Sequence, residues 1–376
     1  MKILMIRATR GFGGAEVYNL NLIKGFKKYS PKTELIFLTT FQYFAQRIRE
    51  EGTRVKVLPV FSEEIGTKRG LVRLFFALPK YLFCYLKEIL YFRYKEKVKV
   101  VCLQAATEKI VLTPLLRIFG FKVIWIEHGP FFSFPTANLV RYLYKLLSNF
   151  SNRIVVASEN TGKNINEGKI SWSKISVIKT GIDTNFFTPT KEGKERKINK
   201  DLNIGFLGDL SEEKGIVDFF KVAKKICWQL ENVHFILVGQ VSNLEIIRKS
   251  LKNKQLLNKF TFIGFKEDVR LFLGNFDIIF YPIKIASISI TQMEAMAMEK
   301  VVVTRDVGGN RELVVDGVTG FLFKDETPEE LTNKIIWILK NKKLREKMGK
   351  AARARIVKYF NLERWSREMH EAFAKS

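Results

Sequence analysis

Cysteine and histidine are scarce, three of each in 376 residues. Cys84, Cys102 and Cys227 are odd in number, widely spaced and set in apolar runs, which argues against a disulfide framework or a zinc knuckle. His128, His234 and His370 are too few and too scattered to build a metal site of several histidines easily, and no D-x-D pair occurs to hold a divalent cation. The sequence thus predicts neither a metal nor a cofactor. No uncharged apolar run reaches about 18 residues, so no segment is expected to span a bilayer. Met1 leads directly into the strand-like Lys2 to Ile6 and not into a signal peptide, so a reducing cytoplasm is the expected compartment.

Acidic residues are also in short supply, 38 against 64 basic ones, for a net charge of +26. Residues 1–185 are the more basic part, with 30 Lys and Arg against 13 Asp and Glu. Such a field favours anionic partners: phosphorylated ligands, an anionic membrane face or nucleic acid. The cations are scattered and no nucleic-acid module is present, so no nucleic-acid partner is expected.

What the chain has in abundance is apolar material, 47% of residues with 13% aromatic, enough for a large core. At this length two domains are expected. Apolar runs at Lys2 to Ile6, Glu34 to Thr39, Arg54 to Val60, Lys99 to Leu103, Lys122 to Ile126 and Arg153 to Ala157 alternate with helical patterns. Continuous apolar strands of this kind belong to parallel sheets covered on both faces. After a polar stretch from Thr188 to Lys200 the rhythm resumes at Asn203 to Leu207, His234 to Val238, Phe260 to Ile263, Asp277 to Tyr281, Val301 to Thr304 and Gly320 to Phe323. The expectation is an α/β chain of two doubly wound, Rossmann-like domains, 1–187 and 201–359, with a last helix over 360–376 packing back on the first.

Ligands of such sheets gather at the carboxyl ends of the strands, and two facing domains would form one cleft there. Gly11, Gly13 and Gly14 follow the first strand; they suit either approach to a phosphate or sugar at a helix N-terminus or a tight strand-to-helix turn. Gly208 and Gly215 bracket a second such loop in which Lys214 stands near a helix start, placed for a diphosphate or simply on the surface. The segment Lys284 to Thr291 is small and polar at Ser287 and Ser289, and Glu294 opens the EAMAM helix behind it. His128 directly follows a strand and precedes Gly129-Pro130, a position that favours function over His234 or His370.

GGAE at Gly13 to Glu16, EHG at Glu127 to Gly129, VIKTGIDTNFFTP at Val177 to Pro189, FLGDLSEEKG at Phe206 to Gly215, FDIIFYP at Phe276 to Pro282, EAMAM at Glu294 to Met298 and GGNRELVVDGVTGFLF at Gly308 to Phe323 succeed one another along nearly the whole chain. In this order they resemble the retaining, nucleotide-sugar-dependent glycosyltransferases of GT-B fold, the family of sucrose synthase and the phosphatidylinositol mannosyltransferases. The resemblance implies that the second domain binds a nucleoside diphosphate sugar and the first an acceptor. It makes Glu294 the residue that holds the ribose hydroxyls, Lys214 the diphosphate lysine and Gly14 part of the loop near phosphates and sugar. It sets His128 beside the transferred sugar, with the base near Gly239 and Phe265. Two positions depart from the pattern: Ala286 replaces the first glutamate of E-x7-E, and Asp209 stands where an arginine is usual. Asp209 would repel a diphosphate if it faced one.

The expected activity is transfer of a sugar from a nucleoside diphosphate sugar to a hydroxyl with retention. Lys214, helix N-termini and the amides of Ser289 and Ile290 would do the work of a metal. The stretch Lys68 to Lys99 interleaves Arg and Lys with Phe, Tyr and Leu, and Asn138 to Phe150 is similar. Each reads either as an interfacial segment for anionic lipid or as an amphipathic helix covering the sheet. From this follow a glycan or lipid-linked acceptor, an anionic membrane partner and a location on the cytoplasmic face of a membrane. The alternatives are a UDP-sugar 2-epimerase-like isomerase and, given Ala286 and Asp209, a catalytically impaired nucleotide-sugar binder.

Overall fold

A computed structural model describes residues 1–60, 68–129, 138–189, 201–242, 244–251, 254–284 and 288–375. The chain divides into two compact units, Met1–Gly181 with Leu362–Ser376, and Ile182–Asn361.

Unit 1 is built on seven strands: β1 (Lys2–Arg7), β2 (Glu34–Thr39), β3 (Arg54–Val57), β4 (Val100–Leu103), β5 (Lys122–Glu127), β6 (Arg153–Val156) and β7 (Ile175–Val177). They lie in the order β3-β2-β1-β4-β5-β6-β7, every neighbouring pair parallel. Between them run α1 (Gly14–Tyr29), α2 (Gln42–Glu50), α3 (Lys68–Leu90, continued by a π-helical turn over Tyr91–Lys95), α4 (Ala106–Ile118), α5 (Asn138–Ser148) and α6 (Glu159–Glu167). The strands are apolar on both faces because helices cover both. On one face α3, α4 and α5 form a single layer, their Leu74, Tyr81, Tyr85, Leu116 and Tyr144 packing with Leu4, Ile6, Leu103 and Trp125 of the sheet.

Unit 2 has six strands: β8 (Leu202–Leu207), β9 (Val233–Val238), β10 (Phe260–Gly264), β11 (Ile278–Tyr281), β12 (Val301–Arg305) and β13 (Gly320–Phe323). Their order is β10-β9-β8-β11-β12-β13, again all parallel. The helices are α7 (Ile216–Gln229), α8 (Leu244–Ser250), α9 (Lys254–Leu257), α10 (Arg270–Asn275), α11 (Ile290–Ala297), α12 (Asn310–Leu313), α13 (Pro328–Lys340) and α14 (Lys342–Tyr359). Local sequence explains their ends. Thr327 and Glu330 close a capping box at the start of α13, with Pro328 in the first turn where its missing N–H costs nothing.

The cores separate at Gly181, ahead of residue 187. Ile182 donates its amide to the Phe360 carbonyl at 2.9 Å, and both Ile182 and Phe187 are buried in the second core. After α14 the chain returns to unit 1 as α15 (Leu362–Ala374), which packs on α1. Trp365 and Phe373 are fully buried there. The approach is so close that a Cβ on Gly25 would stand 1.9 Å from the Ser366 hydroxyl oxygen.

In each sheet the strand order reverses beside the first strand, between β1 and β4 in unit 1 and between β8 and β11 in unit 2. In doubly wound sheets the crevice at the carboxyl ends of such a pair is where ligands bind.

Candidate functional site

In unit 2 the candidate residues converge on the carboxyl ends of four neighbouring strands. Gly208 follows β8, Gly239 follows β9, Phe265 follows β10, and Ser289, Ile290 and Glu294 follow β11. The glycines are dictated by backbone. Gly239 has φ +154, and a Cβ there would stand 1.8 Å from the Gly208 carbonyl oxygen. Gly215 caps α7 at φ +83, with the Pro282 carbonyl oxygen 2.0 Å from where its Cβ would be. The loop Asp209–Gly215 is tied to the segment after β11 by the Lys284 amide, which donates to the Glu213 carbonyl at 3.0 Å.

Lys214 is half-buried in this loop and forms no salt bridge with a described residue. Burial depresses its ammonium below the usual lysine range, with Glu213 and Asp209 opposing the shift. Asp209 accepts a hydrogen bond from the Ser242 hydroxyl, so its carboxylate is already engaged. Ser289 caps α11, its hydroxyl accepting from the Gln292 amide at 3.4 Å, and the Ile290 amide lies in the first turn, where the helix offers no acceptor. α11 is held from below: Gln292 donates to the Thr304 hydroxyl at 3.0 Å, and that hydroxyl donates to the Tyr281 carbonyl at 2.8 Å. Glu294 is half-buried without a hydrogen bond to a described side chain. Burial, with the Asp268 charge added, pushes its carboxyl up to about 8. Phe265 is exposed at the end of β10. Ala286, the departure from E-x7-E, and Ser287 lie outside the described residues.

Gly14 and His128 belong to unit 1. Gly14 begins α1, and a Cβ on Gly11 or Gly14 would meet nothing within 4 Å, so space stands open above this loop. Glu16 organises it, accepting from the Gly13 amide at 2.9 Å and pairing with Arg7 at 2.9 Å. His128 follows β5. Its Nε2 lies 2.9 Å from Gln104 Oε1, and Tyr18 packs edge-on to its ring with centroids 4.7 Å apart. Burial, with Arg7 and Lys109 nearby, holds the imidazole well below the usual histidine range.

No local residue pattern signals the polar network beneath His128. Glu127 is no open carboxylate: it is buried and accepts from Lys109 and from the Tyr144 hydroxyl. Glu108 is fully buried, accepts from the Ala8 amide at 3.0 Å, and has its carboxyl pushed by burial up to about 7. Gln104, at the end of β4, pairs with Asn19 of α1. The Asn19–Gln104 and Ala8–Glu108 contacts join positions 85 and 100 residues apart, which no local pattern signals.

Two Rossmann-like parallel sheets, one in each unit, are the architecture of the GT-B fold. The profile of Glycosyl transferases group 1 matches residues 187–355, and that of Glycosyltransferase Family 4 matches residues 12–186. The chain belongs to the group 1 glycosyltransferases of GT-B fold. It is 26% identical over 363 residues, 92% of each chain, to the N,N'-diacetylbacillosaminyl-diphospho-undecaprenol alpha-1,3-N-acetylgalactosaminyltransferase of Campylobacter jejuni. An uncharacterized glycosyltransferase of Methanocaldococcus jannaschii is 27% identical over 274 residues, 69% of this chain and 70% of its own. Among solved structures, Anabaena Alr3699/HepE in complex with UDP superposes with a TM-score of 0.83 at 17% identity over the full length of both chains. The same protein with UDP-glucose gives 0.82 at 18% identity, again over both full lengths.

Proposed function

We propose that the chain transfers a sugar from a nucleoside diphosphate sugar to a hydroxyl of a lipid-linked or membrane-proximal glycan, with retention of configuration and without a metal ion. The observation that carries this reading is Lys214: a half-buried cation that forms no salt bridge with a described residue, in a loop whose glycines bring backbone close to the β8/β11 switch point. A diphosphate supplies the counter-charge that this ammonium lacks. The Ile290 amide adds a donor, and Glu294 receives the ribose hydroxyls. In the reaction the bond from the anomeric carbon to the phosphate oxygen breaks and the acceptor oxygen bonds to the same face. The acceptor's proton passes to the departing phosphate, so no protein nucleophile is required. Unit 2 is the donor domain, and unit 1, with Gly14 and His128 at the carboxyl ends of its own strands, is the acceptor domain. The names of the relatives support the donor class and the acceptor class: one acts on a diphospho-undecaprenol-linked sugar, and one was solved with UDP-glucose.

The test is release of nucleoside diphosphate from a panel of nucleotide sugars with extracted lipid-linked acceptors, and the anomeric configuration of the product. Lys214→Ala should lower turnover by roughly 10²–10³. Unchanged turnover, or an inverted product, would overturn the assignment.

The membrane part of the reading has its own support. No described helix is long and apolar enough to cross a bilayer. Yet α3 turns Phe75, Phe76 and Phe83 outward, 73%, 77% and 70% exposed, and Tyr142 and Leu146 of α5 in the same layer are exposed too. The cations Arg69, Arg73, Lys80 and Lys87 share that outer face of α3, whereas its one carboxylate, Glu88, is buried against Lys56. Aromatics ringed only by cations suit an anionic interface. Vesicles of phosphatidylglycerol should float the protein at low salt, and a variant with Phe75, Phe76 and Phe83 all changed to Ser should stay behind. Equal flotation of the two disproves this surface without touching the donor assignment.

A further inference from the structure

The amide pair beneath His128 is a closed set of hydrogen bonds with only one consistent orientation. Asn19 Nδ2 donates to the Ala15 carbonyl at 2.7 Å and to Gln104 Oε1 at 2.7 Å, which uses both of its hydrogens. Gln104 Nε2 donates back to Asn19 Oδ1 at 2.8 Å. Turning Gln104 over would set two NH₂ groups against each other. Turning both amides over would restore their mutual pair but set Asn19 Oδ1 against the Ala15 carbonyl, two acceptors at hydrogen-bond distance. The α1 backbone therefore dictates the orientation of both side chains. Gln104 Oε1 is then an acceptor where it meets His128 Nε2 at 2.9 Å, so Nε2 must carry the proton.

We propose that Asn19 and Gln104 are positioning residues that fix the ring proton of His128 on Nε2 and leave the lone pair on Nδ1. The groups around the ring favour this neutral form over the doubly protonated one. Arg7 and Lys109 lie on the cationic side, Glu16 and Glu127 are consumed by ion pairs with those two, and Tyr18, itself backed by Trp365, supplies an aromatic wall rather than charge. A ring in this state cannot attract an anion. It offers one acceptor, which a hydroxyl can use and a carboxylate cannot. The inference rests on His128 facing the sugar for its role in turnover, but the tautomer itself is independent of any activity.

The experiment is long-range ¹H–¹⁵N correlation on the full-length protein labelled at its three histidines, with His234→Gln and His370→Gln variants for assignment. His128 should show a protonated Nε2 and an unprotonated Nδ1, unchanged between pH 8 and pH 6. Gln104→Glu, which places a carboxylate at the same contact, should raise the His128 titration into the neutral range and give a ring protonated on both nitrogens. Asn19→Asp, which faces the Ala15 carbonyl with an acceptor, should broaden or mix the tautomers even if the fold is retained, as monitored by the His234 and His370 signals. In turnover assays Gln104→Glu should reduce kcat with a new pH dependence, and a merely structural defect would lower both without one. A wild-type His128 protonated on Nδ1, or one titrating like a free imidazole, overturns the proposal. So does a Gln104→Glu protein whose His128 is unaltered. If the tautomer stands while no nucleotide sugar is used, the proposed function fails and the positioning pair does not.

Discussion

In unit 1 the chain leaves β1 and enters α1 through Gly11, Gly13 and Gly14; in unit 2 it leaves β8 and enters α7 through Gly208 and Gly215. The two turns look interchangeable on paper, but their surroundings differ in two respects. Gly11 and Gly14 face open space, whereas Gly215 is pressed against the Pro282 carbonyl, and Gly239 on the neighbouring strand against the Gly208 carbonyl. Near the unit 1 turn two buried ion pairs are closed, Arg7 with Glu16 and Lys109 with Glu127, while the fully buried Glu108 has its carboxyl pushed up. At the unit 2 crevice Lys214 and Glu294 are half-buried and form no salt bridge with a described residue. An ammonium such as that of Lys214, withdrawn from water and not matched by an ion pair, costs free energy, so its retention points to a partner that arrives from outside.

That contrast can be broken most forcefully at the two lysines. Lys109→Met orphans the buried Glu127 and should cost about 3–5 kcal/mol, a fall of order 10 °C in the melting of unit 1. Lys214→Met should melt no lower than the parent while losing turnover; a matching fall in Tm would mean that Lys214 is an ordinary structural cation. Next in size are the glycines. Gly215→Ala must adopt positive φ against a carbonyl and should lose about 2–4 kcal/mol, whereas Gly14→Ala should stay within roughly 0.5 kcal/mol in chemical denaturation. Equal losses at the two positions would erase the distinction drawn between the turns.

The smallest effects are pH-dependent. The Glu108 carboxyl titrates near 7 in the folded protein, above its ordinary 4.5. Its protonated form favours folding, so this contribution is complete below about 4.5 and disappears as pH rises through 7. Glu108→Gln should therefore match the parent in stability to chemical denaturation at pH 4.5 and exceed it at pH 8 by roughly 3 kcal/mol at most. Glu294→Gln should show the same sign over a window ending near 8, with a smaller gain because water screens the half-buried carboxylate. A gain that grew toward acid would reverse the assignment for either residue.

The strands of both sheets were legible because runs such as Ile3–Ile6 and Val301–Val303 are apolar at consecutive positions, a pattern only a two-sided core demands. β7 was not, since Ile175–Val177 has three residues and alternates like a loop edge. The break between cores was hidden for a similar reason. Ile182 and Phe187 sit in a stretch rich in Thr, Asp and Asn, and only their burial shows which core they join. At the site, glycine spacing and Lys214 could be read from local sequence, whereas Asn19, Gln104 and Glu108 carry no local signature. Their roles arise from strands and a helix meeting at the β1/β4 switch point, which is information about topology rather than spacing.

The return of α15 to the first unit also bears on how the protein is made. Tyr18 and Phe26 of α1 are covered by Trp365, Met369 and Phe373 from the end of the chain. A ribosome that has finished residue 181 must still add the rest of the polypeptide before this face is sealed, roughly 10–40 s at 5–20 residues per second. Throughout that interval the nascent amino-terminal half presents sticky aromatic surface, a natural target for chaperones, and a message truncated at residue 361 would release a product with that surface permanently bare.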